Sequence, residues 1–259
     1  MTSAIASATA SASASAFVPA PVAPTGPSAS QRIAGMLKLL EDSLPIQRHV
    51  VHAGDTVCQA GQRFVHLYIV NSGFFKLVNM SEEGREQVVG LHFRGDWLGL
   101  DGIAGGQYGC DAVAMDTGEV WAIRYDALLH ACIAKPAVLA ALHQAMSREL
   151  ARYHDSMLSL CTLPADARVA GFLRYWSDNV SQRGLRADKI MLRMTRAEIG
   201  NYLGMTLETV SRALSRMARS DVIRFPEKCR RDIHIPEVGA LTAFMQRASA
   251  AAAPASALH

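Results

Sequence analysis

No run of 18 apolar residues occurs in these 259 residues, so no segment is long enough to cross a hydrocarbon core as a helix. The first 31 residues lack Lys and Arg, and a secretory leader needs positive charge ahead of its apolar stretch, so the start does not read as a signal peptide. Close cysteine spacing is missing too. Cys58, Cys110, Cys132, Cys161 and Cys229 are odd in number, far apart and without a C-x-x-C pair. This pattern argues against a disulfide framework and against zinc or iron–sulfur sites built from neighbouring ligands, and it suits a cytoplasmic protein. Free cysteine is by default a small core hydrophobe, and Cys58, Cys110 and Cys229, on loop or wing positions, are expected to be the thiols most open to solvent. A nucleophile elbow, metal-ligand spacing and a phosphate-cradling glycine loop are all absent, since Gly105-Gly106 alone is too little. The chain is therefore read as a non-enzyme, with no catalytic residue, metal or cofactor assigned.

Composition divides the chain. Residues 1–30 are an Ala/Ser segment ending in Pro19, Pro21, Pro24 and Pro27, too poor in large apolar groups to offset chain entropy, and are expected to be disordered; so is an Ala-rich tail over 247–259. Between them, Ile33 to Leu44 has amphipathic helical spacing. Residues from about Gln47 to Arg124 alternate short apolar runs (His66–Val70, Phe74–Val78, Gln87–Phe93, Glu119–Ile123) with turn signals at Asn71-Ser72-Gly73, Glu83-Gly84, Gly95-Asp96 and Asp116-Thr117-Gly118. That rhythm predicts a sandwich or barrel of short antiparallel strands, within a domain spanning 31–135. His66 and His92 fall on these strands as packing or surface residues.

From Pro136 the period changes to helical. Leu139, Leu142, Met146, Leu150, Tyr153, Met157 and Leu160 follow one another at steps of three and four, which gives one long helix over 136–163 with a narrow apolar seam. Two parallel helices bury such a seam between them, and packing on the chain's own β domain would produce a similar stripe. Dimerisation through Leu142, Met146, Leu150, Tyr153 and Met157 is the preferred reading, because helix-turn-helix proteins commonly bind paired half-sites.

The most informative stretch is Thr195 to Arg216, TRAEIGNYLGMTLETVSRALSR, within a C-terminal domain over 164–246. Thr195 and Glu198 form a capping box, with Ile199 and Leu203 one turn apart on the inner face. Gly204 ends this helix in a left-handed turn, and Gly200 leaves room for a second helix to approach its backbone. Thr206 caps that second helix, Val210, Leu214 and Met217 face inward, and Glu208, Ser211, Arg212 and Arg216 face out. Downstream, Val222–Phe225 and Asp232–Ile235 flank Pro226–Arg231 as a two-stranded wing whose tip bears Lys228, Arg230 and Arg231. From Arg183 to Arg231 there are 12 Lys/Arg against 5 Asp/Glu, a charge of +7 within a chain of +3, so the remainder carries −4. A basic region centred on a helix-turn-helix is the footprint of a surface that meets phosphates.

This order of β domain, long helix and winged helix-turn-helix resembles the Crp/Fnr family of bacterial transcription regulators, over about Ile33 to Phe244. GREQVVGLHFRGDWLGLDGIAGG (Gly84–Gly106) and the second helix of the motif are most similar to its fumarate-and-nitrate-reduction branch. The resemblance implies an α+β fold with an N-terminal β-roll of cyclic-nucleotide-binding type, a dimerisation helix and a C-terminal reader of double-stranded DNA. It also implies an E-x-x-S-R reading set at Glu208, Ser211 and Arg212, phosphate contacts from Arg196, Thr206, Thr209, Arg216, Lys228, Arg230 and Arg231, a TTGAT-N4-ATCAA-like site, and contact with RNA polymerase as an activator. In chemical terms Arg212 can donate twice to guanine O6 and N7, and Glu208 can accept from a cytosine amino group. Two departures bear on sensing. Where cyclic-nucleotide-binding members carry a Glu after a Gly and an Arg-Ser pair, this chain has Leu100 after Gly99 and Tyr108-Gly109, so cyclic nucleotide binding is disfavoured. Where oxygen-sensing members carry cluster cysteines, residues 1–49 have none and the β-domain position falls near Trp121. A redox- or haem-responsive regulator of the same fold, or a ligand-binding module acting on protein partners, are the alternatives.

Overall fold

The computed structural model describes residues 26–81, 83–226 and 232–252. Ser28 opens the first helix, α1 (Ala29–Glu41), through a capping box with Gln31. It therefore begins four residues before the Ile33 expected from apolar spacing, which cannot register a polar first turn. Two four-stranded antiparallel sheets follow. One has the order β1 (Gln47–Val51), β8 (Gly118–Arg124), β3 (His66–Ser72), β6 (Trp97–Leu98). The other has β2 (Thr56–Cys58), β7 (Asp111–Ala114), β4 (Phe75–Met80), β5 (Glu86–His92). Their inner faces enclose Val70, Phe75, Leu77, Leu98, Tyr108 and Val120. A short α2 (Gly102–Gly105) lies in this roll, and α3 (Tyr125–Ala134) leaves it.

The long helix is α4 (Pro136–Thr162), with Pro136 at its first turn, where no intrahelical donor is lost. One face turns inward through Val138, Ala141, Leu142 and Ala145, onto a cluster that includes Leu37, Leu40, Leu67 and Trp121. Leu142 corrects the expected seam. Only 6% of it is exposed, because it points at α1 and the roll rather than outward. Met146, Leu150, Tyr153 and Met157 are exposed, and Leu139, His143 and Leu160 complete their steps of three and four.

The C-terminal half runs through α5 (Ala165–Gln182), β9 (Lys189–Met191), α6 (Arg196–Tyr202), α7 (Leu207–Arg219), β10 (Asp232–His234) and α8 (Val238–Ala252). β10 pairs with β9, in addition to a single antiparallel bridge between His234 and Arg224, so three segments rather than two build the wing's base. α8 packs along α5 through Leu241 and Phe244 and stays helical to Ala252, so residues 247–252 are not the disordered tail their composition suggested. Ala is the strongest helix former, and the turn preceding it is held by packing.

The two halves share one core. Val78, Val88, Leu91 and Phe93 of the roll pack with Phe172 and Trp176 of α5, and Phe74 stacks on Trp176 at 5.5 Å between centroids. Beside this contact, Oδ2 of buried Asp96 accepts from Arg183 after α5 at 3.1 Å and is ion-paired with Arg152 of α4, also at 3.1 Å. Arg152 also pairs with Glu149, whose carboxylate lies 3.3 Å from buried His92 Nε2, too poorly aligned for a hydrogen bond but close enough for charge to matter. Burial opposes ionisation of Glu149, yet His92 and Arg152 outweigh it and hold the carboxyl at about 2.

Two outcomes follow for stability. Asp96→Ala leaves buried Arg183 without its carboxylate and takes one of two from Arg152, and should cost about 3–5 kcal/mol in urea unfolding. Glu149 has a folded pKa below its unfolded value, so its stabilisation is complete above about 4.5 and is lost as pH falls from there toward about 2. Glu149→Gln should flatten the acid limb of a pH–stability curve in that window, and an unchanged slope would show that Glu149 is not coupled to folding.

Candidate nucleic-acid interface

Both halves of the predicted capping box form at α6. Glu198 N donates to Thr195 Oγ1 at 3.1 Å, and Thr195 N donates to Glu198 Oε2 at 2.7 Å. Gly204 takes φ +61° and Met205 N returns to Gly200 O at 2.9 Å, closing the turn. A Cβ at Gly200 would stand 2.6 Å from Met205 O, so only hydrogen fits there. Thr206 caps α7 by accepting from Thr209 N at 3.2 Å, and Val210, Ala213, Leu214 and Met217 are buried beneath it.

The opposite face of α7 presents Glu208, Arg212, Ser215 and Arg219 to solvent, with Ser211 half-buried at its edge. These positions recur every three or four residues, so they form one stripe along the helix. Within it, Glu208 and Arg212 stand one turn apart with no intramolecular ion pair among the described residues. Arg196 donates to Ser211 Oγ at 3.2 Å and lies over the Phe225 ring at 5.9 Å, joining α6, α7 and the wing strand. Thr206 and Thr209 hydroxyls bond one another at 3.0 Å.

Arg216 is not where its spacing suggested. It turns sideways to Asp166 on α5, with Nε 2.7 Å from one carboxylate oxygen and Nη2 on the other, which makes it a strut between helices rather than a free phosphate donor. The position missed from sequence is Arg219, exposed seven residues beyond Arg212 and therefore on the same stripe. That heptad interval was the available signal. Lys228, Arg230 and Arg231, expected at the wing tip, lie outside the described residues.

The first helix of the motif is fastened to the roll by polar groups. Asn201 Oδ1 accepts from Val88 N at 2.6 Å and its Nδ2 donates to Glu86 O at 2.6 Å, while Lys76 pairs with Glu198 at 2.5 Å. Arg193 joins the contact through Asp116 at 3.3 Å and the Phe74 ring at 5.6 Å.

In the roll, the position matched to a phosphate grip is filled by an aromatic side chain. Tyr108 is buried, donates its hydroxyl to His66 O at 2.8 Å, and packs edge-on against Phe64 at 5.6 Å. Leu100 lies against the adjoining apolar cluster. Cys58 and Cys110 correct their expected exposure: Cys58 is buried on β2 and Cys110 half-buried ahead of β7. Burial, reinforced by Asp101, pushes both thiols up to about 12, a range in which thiolate is scarce at neutral pH. Cys161, at the end of α4, is the exposed one, and Cys229 lies outside the described residues. Trp121 is buried and donates Nε1 to Glu119 at 2.7 Å. No three His, Cys, Asp or Glu side chains converge as a metal-binding set among the described residues.

A β-roll joined by a long helix to a winged helix-turn-helix defines a class, and similarity to known proteins agrees with it. Residues 48–134 match the cyclic nucleotide-binding domain and residues 167–244 the Crp-like helix-turn-helix domain. The chain belongs to the Crp/Fnr family of transcription regulators. It is 35% identical over 186 residues to the fumarate and nitrate reduction regulatory protein of Vibrio cholerae, covering 72% of each chain. It is also 35% identical over 185 residues to the protein of that name from Escherichia coli K12, covering 71% of this chain and 72% of that one. Among solved structures, FixK2 from Bradyrhizobium japonicum aligns with a TM-score of 0.70 at 27% identity, covering 78% of this chain and 98% of FixK2.

The close approach at Gly200 supplies a direct test. Gly200→Ala should cost about 1–3 kcal/mol through overpacking against backbone, and should broaden the amide spectrum of 204–210 before the rest of the domain. A neutral substitution would mean that the two helices can separate at no cost.

Proposed function

We propose that the protein acts as a cytoplasmic homodimer that reads a two-fold TTGAT-N4-ATCAA-like site and contacts RNA polymerase. The observation that carries this reading is the exposed stripe of α7, where Glu208 and Arg212 project together with Ser211 at its edge. Arg212 supplies two parallel donors for guanine, Glu208 accepts from a cytosine amino group, and Ser211 serves an A·T pair once Arg196 leaves it for a phosphate. Thr206 and Thr209 stand at the N-terminus of α7, where hydroxyls and helix amides suit phosphate oxygens. Arg219 takes the backbone role first assigned to Arg216. The exposed seam of Met146, Leu150, Tyr153 and Met157 supports the pairing of α4 with its symmetry mate, and a two-fold dimer would address two half-sites one DNA turn apart. Among the described residues no helix is long and apolar enough to cross a membrane.

Arg212→Ala should lose about 1–3 kcal/mol per half-site on the cognate sequence and flatten discrimination at the guanine, with little change on random DNA. Equal losses on both DNAs in a gel-shift titration would mean that Arg212 touches phosphate only. Leu150→Glu sets two carboxylates against each other across the pairing axis and should weaken dimerisation in sedimentation together with DNA binding. A dimer unaffected by this change would move the interface elsewhere. Because Tyr108 fills the roll beside Leu100, specific DNA binding should proceed without cyclic AMP, and calorimetry should register no heat on its addition; saturable micromolar binding would overturn that part.

A further inference from the structure

Between the roll and the helix-turn-helix domain lies a cavity of about 410 Å³, bounded by β5, α4, α5 and the end of α6. That volume falls in the ordinary range for sites that hold small organic ligands. It is separate from the β-roll interior that Tyr108 occupies. Three aromatic side chains form its wall, Phe172 and Tyr175 from α5 and Tyr202 from α6, and Tyr153, which belongs to the exposed α4 seam, borders its rim.

The polar groups at its edge are incompletely used. Of the three arginines that line it, Arg152 is paired with Asp96 and Glu149, whereas Arg168 and Arg174 have no carboxylate within 4.0 Å among the described residues, and Arg174 reaches Thr242 Oγ1 at 3.5 Å. Arg168 Nη1 donates to Leu203 O at 2.7 Å and its buried Nε has no partner. His92 is 1% exposed; its Nε2 lies 3.3 Å from the Glu149 carboxylate, which also borders the cavity, without an aligned hydrogen bond, and its Nδ1 has no partner among the described residues. A buried donor or acceptor left in this condition is rare in folded proteins, and a bound ligand is one of the ways such groups are satisfied.

We propose that this cavity is an effector site for a planar aromatic carboxylic acid, with the carboxylate on Arg168, the ring among the tyrosines and Phe172, and His92 as the second polar contact. Guanidinium is the side chain best matched to a carboxylate, and aromatic walls select a flat apolar body over a flexible one. Tyr202 and Leu203 immediately precede the turn at Gly204, so an occupant bears directly on the seat of the reading helix. The coupling to DNA rests on the function proposed above, but the site itself does not.

Calorimetric titration of the full chain with 2-naphthoate, and with uncharged 2-naphthamide as its twin, tests the site. Naphthoate is expected to saturate at one molecule per chain. Arg168→Gln should weaken it at least tenfold while leaving naphthamide unchanged, and Ser159→Trp, which fills the cavity from its α4 rim, should abolish both. Since Arg168 also holds the carbonyl of Leu203, melting curves accompany both variants, and Ser159→Trp decides the matter if Arg168→Gln fails to fold. Absence of saturable naphthoate binding, equal loss of both compounds in Arg168→Gln, or undiminished binding in Ser159→Trp would overturn the site. Saturable binding that leaves wild-type affinity for a TTGAT-N4-ATCAA duplex unchanged would overturn its role as an effector site. Failure of the unliganded protein to bind that duplex would instead count against the DNA reading, because the calorimetry contains no DNA.

Discussion

The arrangement of the two halves depends on one buried carboxylate. Asp96 is fixed by its own turn, accepting from Phe93 N at 2.9 Å, and presents the same oxygen, Oδ2, to arginines from two other elements. Arg183 is also tied to Arg94 O at 2.8 Å and lies over the Phe93 ring at 5.0 Å, so the end of α5 is locked to the turn after β5. Arg152 brings in α4. Charges this deeply placed are stable only as a complete set, because each one removed leaves another unpaired. The network therefore specifies one geometry of roll, long helix and DNA-binding domain more than it adds to net stability.

Polar fastening at α6 serves the same end. Glu198 caps its own helix and also binds Lys76 of the roll, and Asn201 joins the backbone of β5 with both ends of its amide. The first helix of the motif is thus part of the domain boundary, and the second is left outward. Arg216 contributes by bracing α7 on α5 through Asp166. One basic residue of the motif is structural and its neighbours Arg212 and Arg219 are available, a division of labour within a single helix.

Much of this was legible in the chain. The capping box at Thr195 and Glu198, the close approach at Gly200 and the left-handed Gly204 are local events, set by residues at most a few positions apart, and each formed as its spacing implied. The strands from β3 to β5 and the length of α4 were equally readable from period alone. The early start of α1 was hidden because Ser28 and Gln31 signal through hydrogen bonds and not through apolar spacing. β9 was missed because three residues carry too little pattern, and it is a strand only by virtue of its partner β10.

What the sequence determined by itself was the kind of most elements and the two-helix geometry of the motif, since helix caps, turn glycines and hydrophobic period act within a few residues. Only the tertiary structure decided which side chains were free to act. Leu142 and Met146 belong to the same apolar stripe, yet one is spent on α1 and the roll; Arg212 and Arg216 lie one turn apart, yet one is held by a carboxylate fifty positions away in sequence. Cys58 looked accessible and is buried between sheets. Availability depends on what lies across a helix or sheet from a residue, and that partner is brought near by packing of distant segments, which no local spacing encodes.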